Sequence, residues 1–209
     1  MHVGRKTKFH ILGITVIIIG IMIGIIPIFL NNNKSNRENS KVEDYIEKTS
    51  IINESIENKN NTEQENKINV NYDENYLLIL EIPKISLKRG VYSFDSKLNT
   101  IEKNVQIMKE SSLPNVESGN LVLEAHNGTA SISYFKELYK LKNGDIANIY
   151  FNGTKYTYMV SDIYDVSKDG IVEVYRDENK TTLTLITCKR NTNDRQLVIV
   201  FYLEKKENY

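Results

Sequence analysis

The chain has 209 residues, 27 basic and 27 acidic side chains, no tryptophan, 13 tyrosines and a single cysteine. Zero formal charge with no basic stripe excludes an electrostatic nucleic-acid binder. The length suffices for one well-buried core with accessory segments around it.

Residues 11–30, ILGITVIIIGIMIGIIPIFL, carry no charge, and as a helix they rise about 30 Å, the thickness of a bilayer's hydrocarbon core. They are expected to span a membrane. Arg5, Lys6 and Lys8 precede the run with no acidic neighbour, which assigns residues 1–9 to a cytoplasmic tail, although Lys34, Arg37 and Lys41 follow on the far side. No small-x-small cleavage site follows, so residues 10–30 read as an uncleaved signal anchor with the bulk of the chain outside the cell. Residues 31–75 are rich in Asn, Glu, Lys and Ser and lack Gly and Pro. They read as a polar stalk, which as a coil would average about 40 Å end to end. Val42, Tyr45, Ile46, Ile52 and Ile56 keep helical spacing within it, and residues 42–57 are a candidate regulatory segment that folds over a cleft.

Residues 76–209 read as one domain with mostly the period of strands. Leu77 to Ile82 is an apolar run stopped by Pro83, and Ile85 to Tyr92 is a second run broken by Gly90. Residues 97–104 suggest one or two helical turns. After the turn from Leu113-Pro114 to Ser118-Gly119 comes a strand from Asn120 to His126. Ser131 opens a predicted helix with Ile132, Phe135, Leu138, Tyr139 and Leu141 on one face, ended by Asn143-Gly144. Ile146 to Phe151 and Lys155 to Ile163 flank Asn152-Gly153, a hairpin signal. Thr181 to Cys188 and Gln196 to Leu203 form a second predicted hairpin. Seven or eight strands with one or two short helices predict a mainly β, closed or nearly closed barrel.

Cys188 is unpaired in a chain expected to lie in an oxidising compartment, which makes it a candidate nucleophile. An antiparallel hairpin brings it to the same rim as Arg195. His126 ends another strand and is the one imidazole left for an extracellular site, because His2 and His10 fall in the tail and at the membrane boundary. A thiol, an imidazole and a guanidinium at strand ends suit acyl transfer, supplying nucleophile, proton carrier and oxyanion cation. A free thiol titrates near ~8.5 and is only a few per cent ionised at neutral pH, so a neighbouring cation matters. Glu117 and Glu173 are too sparse for a metal site. The glycosylation-type triplets at Asn127, Asn152 and Asn179 are expected by chance in so Asn-rich a chain.

Thr184-Leu185-Ile186-Thr187-Cys188 matches the T-L-x-T-C signature, and with it the chain resembles the sortases, the cysteine transpeptidases of Gram-positive cell surfaces. Ile82-Pro83-Lys84-Ile85, Leu113-Pro114, Gly119-Asn120, Phe135, Leu138, Leu141 and Gly144-Asp145 extend the resemblance from about Tyr76 onward. It implies a sortase-type β-barrel and an enzyme that needs no cofactor. Cys188 would attack an LPxTG-like sorting signal to give a thioester with a surface protein, which an amine on a peptidoglycan precursor or another protein then resolves. His126 would be the general acid and base, Arg195 would orient substrate and steady the oxyanion, and Thr187 would give a backbone contact to substrate. Ala125 stands where many members have glycine. The segment between Ile163 and Thr181 is too short for the extra helix of class B, and no Asp-Pro-aromatic lid occurs near residues 70–95, which favours a class A-like or class D-like enzyme. Two other readings fit an anchored barrel with one cysteine: a non-catalytic module that binds surface proteins, and a different cell-wall cysteine peptidase or transpeptidase.

Overall fold

Helix α1 runs Arg5–Glu57 in the computed structural model, which describes residues 5–57 and 75–209. The helix thus passes from the apolar run without a break into what the composition predicts as coil. No Gly or Pro falls between residues 31 and 57 to stop the helix, and Lys, Glu and Arg in this stretch favour its continuation. Stalk residues 58–74 and tail residues 1–4 lie outside the described residues.

The chain divides into two units, residues 1–40 and 41–209. In the first, Ile19, Ile23, Phe29 and Leu30 are between 57% and 67% exposed, so apolar side chains stand bare on several faces of the helix. Among the described residues no helix is long and apolar enough to cross a membrane. The anchor expected over residues 10–30 falls partly on residues whose side chains lie outside that description.

The second unit holds eight strands: β1 Tyr76–Ile82, β2 Leu87–Tyr92, β3 Gln106–Ile107, β4 Asn120–Glu124, β5 Ile146–Phe151, β6 Thr154–Ser167, β7 Thr182–Cys188 and β8 Arg195–Asn208. They form one mainly β, nearly closed sheet in the order β2-β1-β5-β6-β8-β7-β4-β3. Every neighbouring pair is antiparallel except β4 and β7, which run parallel. The buried side chain of Asn104 draws the two end strands together. It accepts from Arg89 Nε at 2.6 Å and donates to the Gly90 carbonyl at 2.7 Å, just before β3 begins. Asn152 and Gly153 have φ of 48° and 71°, the paired positive values of the tight turn that joins β5 to β6.

The predicted helix from Ser131 to Leu141 is instead a chain of turns with a 3-10 helix over Leu138–Lys140. Its backbone bonds close at three residues, Leu138 to Phe135, Lys140 to Glu137 and Leu141 to Leu138. Of the five apolar side chains expected on one face, Phe135, Leu138 and Leu141 are buried, a spacing of three that matches the 3-10 period, while Tyr139 is exposed.

Strand β7 is buried along nearly its whole length. Leu183 and Leu185 face the main core with Leu197, Ile199 and Phe201 of β8. Ile186 packs on the other face with Val198 and Val200, where Val172 and Val174 of the segment before β7 cover them. A strand covered on both faces reads as a continuous apolar run.

Within the candidate regulatory segment, the side chains described at Val42, Tyr45 and Thr49 pack on the barrel rather than over the cavity. Val42 is buried against Tyr76, Ile79 and Tyr92, Tyr45 donates its hydroxyl to the Leu77 carbonyl at 2.8 Å, and Thr49 shares a hydrogen bond of 2.7 Å with Tyr209. These contacts lie on β1, β2 and the residue just after β8.

Candidate active site

The parallel pairing of β4 with β7 builds the site. Its register runs from Asn120 opposite Thr182 to Glu124 opposite Ile186, so both strands end at one rim. The chain after β4 keeps following β7: Ala125 N–H donates to the Ile186 carbonyl at 3.4 Å, and the Asn127 side-chain amide donates to the Cys188 carbonyl at 2.8 Å. His126, between those two anchors, is held beside the end of β7. Its own carbonyl accepts from Phe135 N–H at 3.1 Å, which ties the histidine's backbone to a fully buried aromatic.

Thr187 is fully buried, and its hydroxyl donates to the Ala125 carbonyl at 2.8 Å. The side chain therefore clamps the histidine's segment to the cysteine's strand, and any contact with substrate falls to its backbone. Thr184 makes a similar tie lower in the same strand pair, donating to Asn120 Oδ1 at 2.9 Å.

Cys188 is half-buried and lines a cavity of about 770 Å³, shaped by residues 127–129, 136–137, 168 and 188–193. A cavity of that size is typical of small-molecule and peptide sites. Lys168 reaches the thiol, with Nζ 3.4 Å from Sγ. Its backbone N–H donates to the Asp194 carbonyl at 2.7 Å, and the preceding residue, Ser167, pairs with Arg195 at the end of the β6–β8 ladder. Lys189, next to the cysteine, is paired with Asp165 of β6.

Arg195 opens β8 at this rim. Its carbonyl accepts from Lys189 N–H at 2.9 Å, while its guanidinium donates to the Asp165 carbonyl at 3.0 Å and is absent from the cavity lining. Arg190 does line the cavity, with its guanidinium 4.4 Å over the Tyr139 ring.

Glu124 ends β4 two residues before His126. Burial pushes its carboxyl above the ordinary carboxylate range, while the charges of His126 and Lys168 pull it the other way and Glu102 adds to the rise. Glu102 is held below its ordinary range, chiefly by the Thr100 hydroxyl, with His126 contributing.

The structure therefore brings Cys188 and His126 to one rim and places Arg195 there with its side chain turned to β6. Lys168, Asn127 and Glu124 escaped the sequence reading. Lys168 depends on β6 reaching Ser167 rather than stopping near Ile163, and that length becomes visible only through its pairing with β8.

A half-buried thiol and cations lining a cavity on an eight-stranded barrel, with a histidine at the neighbouring strand end, suit cysteine-dependent acyl transfer. The family model described as the sortase domain matches residues 80–204, which include His126, Cys188 and Arg195. The chain belongs to the sortase family. Among known relatives it is 31% identical over 109 residues to sortase A of Bacillus anthracis, a match covering 52% of this chain and 50% of that protein. The chain thus spans about half the length of that relative. Its fold is similar to sortase A from Corynebacterium diphtheriae, with a TM-score of 0.55 and 26% identity over 62% of this chain and 61% of that one. Sortase C1 of Streptococcus agalactiae is similar to the same degree, with a TM-score of 0.56 and 26% identity over 62% of this chain and 68% of that one.

Proposed function

We propose that this protein is a membrane-anchored cysteine transpeptidase that cleaves an LPxTG-like sorting signal and transfers the surface protein carrying it to a cell-wall amine. What supports the reading is the parallel β4–β7 pair, which ends both strands at one rim, with Cys188 lining the cavity and the backbone of His126 held next to that strand end.

In this reading Sγ of Cys188 attacks the threonine carbonyl of the signal. The bond to the following glycine breaks as His126 delivers a proton to the leaving amine, and the acyl group rests on Cys188 as a thioester. An incoming amine gives a proton to His126, displaces Sγ and forms the new amide. Lys168 stands by to hold the sulfur's charge, 3.4 Å away. Arg195 steadies the oxyanion once substrate draws its guanidinium from the Asp165 carbonyl. The Thr187 backbone lends substrate a contact, while its side chain keeps the two strands together.

The anchor is residues 10–30, supported by the uncharged run 11–30 and the bare apolar faces of α1. Arg5, Lys6 and Lys8 favour a cytoplasmic N-terminus and an extracellular catalytic domain on a Gram-positive cell. A class A-like or class D-like enzyme is the subclass that the short segment after β6 favours.

The test is a transfer assay with the full chain in detergent micelles, an LPxTG peptide and a free amine. A transfer product that requires both Cys188 and His126 is expected. Turnover of muropeptides with no action on any sorting peptide would overturn the reading in favour of a cell-wall peptidase.

A further inference from the structure

The chain as a whole is electrically neutral, but the wall of the cavity beside Cys188 is not. Four cations, Lys136, Lys168, Lys189 and Arg190, line it against one carboxylate, Glu137. Lys140, outside the lining, pairs with Glu137 at 2.6 Å and is the main charge acting on it, with Lys136 and Arg190 acting more weakly. Lys189 is paired with Asp165, and Lys168 faces the thiol. Two positive charges are left to the opening: Lys136, exposed and in no ion pair within 4 Å among the described residues, and Arg190, whose guanidinium is fixed over Tyr139. The Thr192 hydroxyl, also in the lining, is buried without a hydrogen-bond partner among the described residues. A wall with surplus positive charge, a fixed guanidinium and an unused hydroxyl is suited to a carboxylate, which accepts from all three.

We propose that this cavity selects a reaction partner bearing a carboxylate close to the reacting bond, recognised by Lys136, Arg190 and Thr192. The inference rests on the transpeptidase reading, and it names the chemistry of what the site accepts. The carboxylate has two possible sources: an acidic residue just after the scissile Thr-Gly bond of the sorting signal, or an acid group near the amine of the acceptor.

The experiment uses the full chain in detergent micelles and has two arms. In the first, sorting peptides that differ only in Glu, Gln or Lys after the glycine are compared by kcat/KM for cleavage. In the second, glycylglycine and glycylglycine amide compete as acceptors for one neutral peptide. A preference of roughly fivefold or more for the carboxylate form in either arm is expected, and the arm in which it occurs names the source. The preference should shrink as salt rises from about 0.1 M to about 1 M, because exposed charges are then screened. Lys136→Glu and Arg190→Glu should abolish or reverse it, while Lys136→Arg should keep it.

The Cys188→Ala chain, titrated with the Glu and Gln peptides and with the two acceptors, reads the same preference without chemistry. Thioester formation on Cys188 with equal rates and equal binding for charged and neutral partners would overturn the proposal while leaving the transpeptidase intact. Absence of any thioester would overturn the enzyme reading, and the Cys188→Ala titration would then decide the carboxylate site on its own.

Discussion

The side-chain amide of Asn127 donates to the carbonyl oxygen of Cys188 over 2.8 Å, joining the residue after the histidine to the last residue of the cysteine's strand. The bond spans the one parallel strand pair in the sheet. It ties together backbone segments 62 positions apart in sequence, those of His126 and Cys188.

Removing that bond should harm rate more than fold. Asn127→Ala forfeits one partly buried hydrogen bond, about 0.5–1.5 kcal/mol of stability. A nucleophile displaced by a fraction of an ångström should lower kcat for peptide cleavage between about tenfold and a hundredfold. Steady-state kinetics alongside thermal melting would check this, with KM expected to change little.

Thr187→Val keeps the side chain's shape and deletes its hydroxyl. The buried Ala125 carbonyl loses a partner, so the variant should lose about 1–3 kcal/mol of stability. Denaturant titration should register the loss, and Thr187→Ser should recover most of it.

Lys168→Met removes the ammonium 3.4 Å from Sγ. Alkylation of Cys188 by iodoacetamide at neutral pH is expected to slow severalfold, and Lys168→Arg should retain most of the rate. An unchanged alkylation rate in Lys168→Met would remove the lysine from the nucleophile's surroundings.

Glu124 makes stability depend on pH in a defined direction. Its folded-state carboxyl titrates above the ordinary 4.5, first because of burial, so the native state holds this proton more tightly than the unfolded chain does. The contribution is therefore fully present below the unfolded value and is lost as pH rises through the folded one. Denaturation measured from pH 4 to pH 7 should show the wild type losing stability relative to Glu124→Gln over that weakly acidic window.

Val42→Asp should unseat the end of α1 from Tyr76, Ile79 and Tyr92 and lower the melting temperature. Peptide cleavage should keep its kcat/KM, because these contacts lie on β1 and β2 and away from the cavity. A rise in activity would restore the idea of a segment that covers the cleft.

Much of the barrel was legible because its strands are bounded by local chemistry. Pro83 closes β1, and Asn152-Gly153 turns β5 into β6. TLITC reads as a strand because it is buried on both faces, and its cysteine marks the rim. What stayed hidden is set by pairing between distant segments. Nothing in Asn120–Glu124 announces that it lies parallel to Thr182–Cys188, and so the role of Asn127 is invisible in sequence. The same holds for Lys168, carried to the thiol by four strand residues beyond Ile163. Phe135, Leu138 and Leu141 read as a helix because a spacing of three satisfies both helical periods, and only the backbone bonds separate them.

The central claim is that Cys188 forms an acyl-enzyme with a sorting signal. Intact mass spectrometry of the full chain in detergent, incubated with LPxTG-type peptides, tests it beside Cys188→Ala and His126→Ala. The account predicts a thioester adduct on the wild type that hydroxylamine removes, none on Cys188→Ala, and strongly slowed formation on His126→Ala. A folded chain whose thiol reacts freely with iodoacetamide yet forms no adduct with any sorting peptide would contradict it.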